Sequence, residues 1–182
     1  MNVVSTKEKY IKTVVPEMES KFGYGNIMAV PKIYKVVVNV GIGKIGREGD
    51  KAQEIFEYVK VITGQKPVKT KAKKAIAGFK TREGMEVGIK VTLRGERMWS
   101  FIDRLINVTL SRTRDFQGIP VSSVDSSGNL NIGIREHIIF PEVSPEHVKT
   151  IFGLQITVTS TAKNNKEGME FYRLLGFPIK KN

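Results

Sequence analysis

The sequence predicts an α+β domain whose helices cover one face of a mostly antiparallel sheet, and three observations carry the prediction. Four stretches alternate apolar and polar residues with the period of a strand. Four others repeat apolar residues at helical spacing. The two kinds interleave along 182 residues, enough to bury a core, with nothing to mark a second independent unit, so one domain spanning 1–182 is expected.

Taken in order, Thr6 is the expected cap of a first helix, with Tyr10, Ile11, Val14, Val15, Met18 and Phe22 at helical spacing and Pro16 as a kink or restart. After the turn residues Gly23, Gly25 and Asn26, a strand from Ile33 to Val40 places Tyr34, Val36, Val38 and Val40 on one face and Ile33, Lys35, Val37 and Asn39 on the other. A glycine turn from Gly41 to Gly49 leads to Asp50, the expected cap of a helix with the stripe Ala52, Ile55, Phe56, Val59 and Ile62 and Gly64 as its stop. A basic segment then runs to a turn near Arg82 to Gly84, followed by a strand from Glu86 to Arg94. Glu96 opens a helix with Met98, Phe101, Ile102, Leu105, Ile106 and Thr109 inward and Arg97, Asp103 and Arg104 outward. Periodicity fades from Leu110 to Gly128, which reads as a long loop. Leu130, Ile132 and Ile134, and later Leu154, Ile156 and Val158, mark two further strands. Between them His137 to Val148, with two prolines, reads as a surface loop, and a last helix from about Asn165 to Leu175 stops at Gly176.

Charge narrows the function. Thirty Lys and Arg against eighteen Asp and Glu give a net charge of +12, which points to a polyanionic partner, nucleic acid before an acidic membrane. Between Glu57 and Glu83 no acidic residue occurs, while Lys60, Lys66, Lys69, Lys71, Lys73, Lys74, Lys80 and Arg82 all do. Such a run repels itself unless an anion neutralises it. Cysteine is absent, which excludes disulfides, thiolate zinc sites and thiol nucleophiles. No apolar run approaches the ~20 residues that cross a bilayer, and MNVVSTKEKYIK lacks the apolar core of a signal peptide, so a cytoplasmic location without a membrane partner is expected.

The four alternating strands share a second side rich in Asn39, Lys90, Thr92, Arg94, Asn131, Arg135, Gln155, Thr157 and Thr159. Any one-sided sheet shows polar residues to water, and Thr is a good strand former. Lys90, Arg94 and Arg135 tip the reading toward a binding face. Gly41, Gly43 and Gly46 satisfy G-x-G-x-x-G between a strand and a helix, the arrangement of a pyrophosphate cradle. The acidic residue such a site needs ~20 positions later is missing, because KPVKTKAKK stands there. A loop that touches an RNA backbone with its N–H groups and a purely structural turn both remain. His137 and His147, ten residues apart, form no ligand pattern, so neither an enzyme nor a cofactor is expected. The basic run holds one aromatic, Phe79, so phosphate, 2′-hydroxyl and shape contacts to folded RNA suit it better than stacking on a bare strand.

The blocks IMAVPKIYKVVVNVGIG, GQKPVKTKAKKAIAGFKTREG, VGIKVTLRGERMWSFIDRL, GNLNIGIREHIIFPE, GLQITVTSTAK and LLGFPIK together resemble the bacterial large-subunit ribosomal protein L-five family, the 5S ribosomal RNA-binding proteins. The resemblance covers nearly the whole chain in order. It implies a five-stranded, mainly antiparallel sheet with helices on one face and the other open to RNA, in the central protuberance of the large ribosomal subunit. By motif, Asn39, Gln65 and Thr92 match positions that bond to 5S ribosomal RNA, and Gly41, Gly43, Lys90 and Arg94 join them on the same surface. A projecting basic loop at about 66–84, with Lys71, Lys73, Lys74, Phe79 and Lys80, resembles the element that reaches the P-site transfer RNA. Arg112, Arg114 and Asp115, with Phe140 and Glu142, fall in the regions that bridge to a small-subunit head protein. The 23S ribosomal RNA and neighbouring large-subunit proteins complete the expected partners. Two departures stand out: Ser111 replaces a usual Pro, and Val124 to Leu130 replaces Phe-Asp-Gly-Arg-Gly-Asn-Tyr. A free-standing regulatory RNA-binding module and a nucleotide-dependent enzyme built on Gly41 to Gly46 are the competing readings.

Overall fold

The computed structural model describes residues 5–43, 49–79, 81–114 and 116–180. Among the described residues five α-helices, α1 (Thr6–Lys9), α2 (Val15–Phe22), α3 (Gly49–Thr63), α4 (Gly95–Arg104) and α5 (Asn165–Leu175), accompany five strands, β1 (Ile33–Gly41), β2 (Val68–Lys71), β3 (Glu86–Leu93), β4 (Leu130–Ile134) and β5 (Leu154–Ser160). The strands form one sheet in the order β2-β3-β1-β5-β4, and the chain is α+β as its pattern predicts. Packing divides the chain into two compact units, one of residues 1–36, 94–132 and 157–182, the other of residues 37–93 and 133–156.

In the first unit α2, α4 and α5, with the π-turns Tyr10–Val14 and Leu105–Thr109, supply a core of Val14, Met18, Met98, Phe101, Ile102, Leu105, Phe171, Tyr172 and Leu175. Ser5, not Thr6, caps α1: its hydroxyl accepts from Glu8 N, while the Thr6 amide and hydroxyl both donate to Asp103. Helical spacing places Asp103 on the outer face of its helix, and this pair of bonds gives it a partner on α1 instead. A π-turn, Tyr10–Val14, precedes α2, whose first turn holds Pro16. The missing proline N–H explains why the helix widens and restarts there. Ile11 and Phe22, expected in the stripe, are 59% and 41% exposed, and Phe22, at the end of α2, stacks on Tyr24 with ring centres 6.0 Å apart. The last helix follows the sequence closely: Asn164 Oδ1 accepts from Glu167 N at 2.9 Å, and the chain leaves α5 at Gly176.

In the second unit α3 buries Ala52, Ile55, Val59 and Ile62 against a core that includes Val38, Val40, Ile89, Val91 and Leu93. Asp50 lies in the first turn of α3 rather than at its cap, where its charge complements the helix dipole. Gly64, with φ of +63°, closes the helix through its N–H to Lys60 O at 2.9 Å. The stretch from His137 to Val143 is not a surface loop. His137, Phe140 and Val143 are all buried, because two successive turns, Phe140 N to His137 O at 3.2 Å and Val143 N to Phe140 O at 3.1 Å, bring every third side chain to the same side.

Candidate nucleic-acid interface

The site grows from the alternation of β1 and β3. Val36, Val38 and Val40 are buried, so Val37, Asn39 and Gly41 take the opposite, more open face. On β3, Ile89, Val91 and Leu93 are buried while Lys90 is exposed and Thr92 half-buried. Position 88 joins the two strands. A Cβ there would lie 2.7 Å from Thr70 Oγ1, 3.3 Å from Val40 O and 4.0 Å from Asn39 Oδ1, so glycine lets these groups close on one another. Gln65, at the exit from α3, donates from Nε2 to Thr92 O at 3.1 Å. Three residues expected to share an RNA, Asn39, Gln65 and Thr92, therefore belong to one unit, and two are directly bonded.

β2 is the fifth strand, hidden inside the lysine run. It pairs antiparallel with β3, Val68 opposite Lys90, Lys69 opposite Ile89 and Thr70 opposite Gly88, with an irregularity between Thr70 and Lys71. Directly opposed residues share a face. Val68 and Thr70 therefore lie on the polar face with Lys90, and Lys69 turns to the helix side. There its Nζ pairs with Glu86 at 2.9 Å and sits 5.9 Å from the centre of the Phe56 ring. Sequence reasoning missed Thr70 for this reason.

The basic segment beyond β2 is a hairpin arm rather than a free loop. Ala72 N donates to Met85 O, Gly84 N to Ala72 O, and Ile76 and Thr81 exchange both of their backbone bonds at 3.0 and 3.2 Å. A 3₁₀ turn, Ala77–Phe79, makes the tip. Lys71, Lys73 and Lys74 are exposed along the arm, and Phe79 and Ile76 stand 75% and 50% exposed at its end. Lys80 lies outside the described residues.

Gly41 and Gly43 bracket Ile42, which is buried and donates to Val87 O at 2.9 Å. A Cβ at either glycine would meet nothing within 4 Å, and neither has a positive φ. Nothing among the described residues of the chain demands glycine at these two places. Gly46 lies outside the described residues.

In the other unit the structure corrects β1 at its start. Ile33 is buried, and Tyr34, expected inside, is 54% exposed with the Arg94 guanidinium 4.4 Å from its ring centre. The cation–π pair holds at the surface a ring that strict alternation would have buried. Arg112, at the end of a 3₁₀ turn, and Arg114 are exposed, and Asp115 lies outside the described residues. Of the two bridge candidates in the second unit, Glu142 is half-buried and Phe140 is 2% exposed. The Phe140 ring is core and cannot present itself to a partner.

Beside it His137 stacks on Phe152 at 3.9 Å and lies 5.0 Å from the Tyr58 ring. Burial pushes its pKa below the ordinary 6.5, against the opposing influence of Glu54 and a backbone hydrogen bond from Phe152. Among the described residues no group of three or more His, Asp or Glu could hold a metal ion.

Comparison with known proteins finds similarity along nearly the whole chain. A model described as the C-terminus of the ribosomal protein L5 family matches residues 86–179, and one described as ribosomal protein L5 matches residues 26–82. The large ribosomal subunit protein uL5 of Halothermothrix orenii is 49% identical over 172 residues, 94% of this chain and 96% of that protein. The uL5c protein of Spinacia oleracea is 49% identical over 174 residues, 96% of this chain and 67% of that one. The uL5 protein of Streptococcus sanguinis is 47% identical over 175 residues, 96% of this chain and 97% of that protein.

Proposed function

We propose, for a chain that belongs to the ribosomal protein L5 family and is accordingly a non-enzymatic, structural protein of the large ribosomal subunit, that its polar sheet face binds 5S ribosomal RNA. The observation that carries this reading is the bond from Gln65 to the Thr92 carbonyl on β3, the strand that also exposes Lys90 and at Gly88 approaches Asn39 of β1. Asn39 and Lys90 offer a polar and a cationic side chain on one ladder, so hydrogen bonds to ribose or base and a phosphate contact can form together. Gly41 and Gly43 support it. Glycine without an internal reason lets another backbone approach closely, which favours RNA contact over a structural turn.

The arm serves a second RNA, the P-site transfer RNA, through Lys71, Lys73 and Lys74, with Phe79 at the tip. Arg112 and Arg114 in one unit and Glu142 in the other meet a small-subunit head protein, Phe140 acting only by shaping its loop. The 23S ribosomal RNA and adjoining proteins complete the surroundings, in the cytoplasmic ribosome.

Gly41→Ala and Gly43→Ala test the face directly. Both variants are expected to keep the wild-type unfolding temperature and to bind 5S ribosomal RNA more weakly in a filter assay. Wild-type affinity in both would remove the glycines from the interface.

A further inference from the structure

We infer that Tyr34 and Arg94 form a stacking site for an unpaired base of ribosomal RNA. The inference rests on the 5S-binding reading of the chain and adds to it a contact of a different kind. Tyr34 is a large ring held more than half exposed at the start of β1, where alternation alone would have placed it inside. The Arg94 guanidinium lies 4.4 Å from its centre, and Lys35 Nζ lies 5.9 Å from it. Arg94 is exposed and stands two residues after Thr92 along the chain.

A guanidinium is a flat cation that stacks on an aromatic ring with one face and leaves the other for a second π-system. Its attraction to the Tyr34 ring restricts its rotamers before a ligand arrives, so less freedom is lost on binding. A nucleobase supplies the second plane and its phosphate supplies the charge that Arg94 and Lys35 answer. An acidic protein segment answers the charge alone, which is why a nucleotide is the favoured occupant. Stacking of this kind tolerates any base.

Filter-binding titrations with 5S ribosomal RNA and, separately, with bulk transfer RNA, each over a salt series, test the site. The variants are Tyr34→Leu, Tyr34→Phe, Arg94→Lys and Asn39→Ala. Tyr34→Leu is expected to lose roughly 5- to 100-fold in 5S affinity with an unchanged salt slope, since no phosphate contact is removed. Tyr34→Phe is expected to stay close to wild type. Arg94→Lys keeps the charge but not the plane, and is expected to weaken binding as Tyr34→Leu does. Wild-type affinity in Tyr34→Leu, with Asn39→Ala still weakened, overturns the stacking site and leaves the 5S reading standing. A wild-type protein that prefers 5S ribosomal RNA no more than transfer RNA overturns both.

Discussion

The polar face and the basic arm share the same two strands, β2 and β3, yet they are held in opposite ways. On the face, side chains are positioned by the ladder and by each other: Gln65 bonds to Thr92 O, and Thr70, Asn39 and Val40 close around Gly88. Along the arm backbone bonds at Ala72, Ile76 and Met85 and the bond from the Thr81 hydroxyl to Phe79 O hold the shape, and Lys71, Lys73 and Lys74 extend into solvent. Recognition by hydrogen bonds requires donors and acceptors fixed to a few tenths of an ångström, whereas recognition of phosphate by charge tolerates long, mobile side chains. The difference predicts a specific, salt-tolerant face and a salt-sensitive arm.

The strongest blow to the face is Gly88→Val. Its branched side chain meets Thr70 Oγ1 and Val40 O, so β2 or the end of β1 must shift. Overpacking of this kind costs about 1–3 kcal/mol. Thermal unfolding should show a fall of roughly 2–4 °C per kcal/mol, together with weaker 5S binding. An unchanged melting temperature contradicts the packing described for this position. Next in size, Asn39→Ala or Thr92→Ala should weaken 5S binding by roughly 1–3 kcal/mol without altering its salt slope. Smaller still, each of Lys71→Ala, Lys73→Ala and Lys74→Ala should lower the salt slope for transfer RNA on the ribosome by about one unit. Equal slopes across that series would remove the arm from the transfer RNA contact.

How much of this was legible in the sequence depended on whether a segment obeyed a single period. The helix α5 did, with Asn164 and Gly176 as its limits, and so did the interiors of β1 and β3, which placed Asn39 and Thr92 on one face. β2 did not. It is four residues at a sheet edge, where Lys69 turns inward to Glu86 and Phe56 while Val68 stays exposed, the reverse of a hydrophobic pattern. An edge residue is decided by its immediate partners, which no local count reveals. The segment holding His137, Phe140 and Val143 escaped because its buried residues recur every three positions, between the periods of strand and helix. Alternation misplaces Tyr34 as well, since Arg94, distant in sequence, holds its ring. No pattern along β1 could have indicated that.

The buried His137 gives the smallest predicted effect, and one that leaves the face and the arm untouched. Its pKa is lowered in the fold, so below about 6.5 the unfolded chain takes up a proton that the folded chain refuses. Stability should be complete above that pH and decline as pH falls through the window below it. His137→Gln should flatten this part of the curve in urea unfolding measured at several pH values. An unchanged pH profile would show that the imidazole is not held neutral.

The division of labour between face and arm is tested most directly by titrating 5S ribosomal RNA with three proteins in parallel: wild type, Asn39→Ala/Thr92→Ala, and Lys71→Ala/Lys73→Ala/Lys74→Ala. The face variant should lose at least tenfold in affinity at every salt concentration, and the arm variant should bind close to wild type. Equal losses in the two variants, or a greater loss in the arm variant, would contradict it.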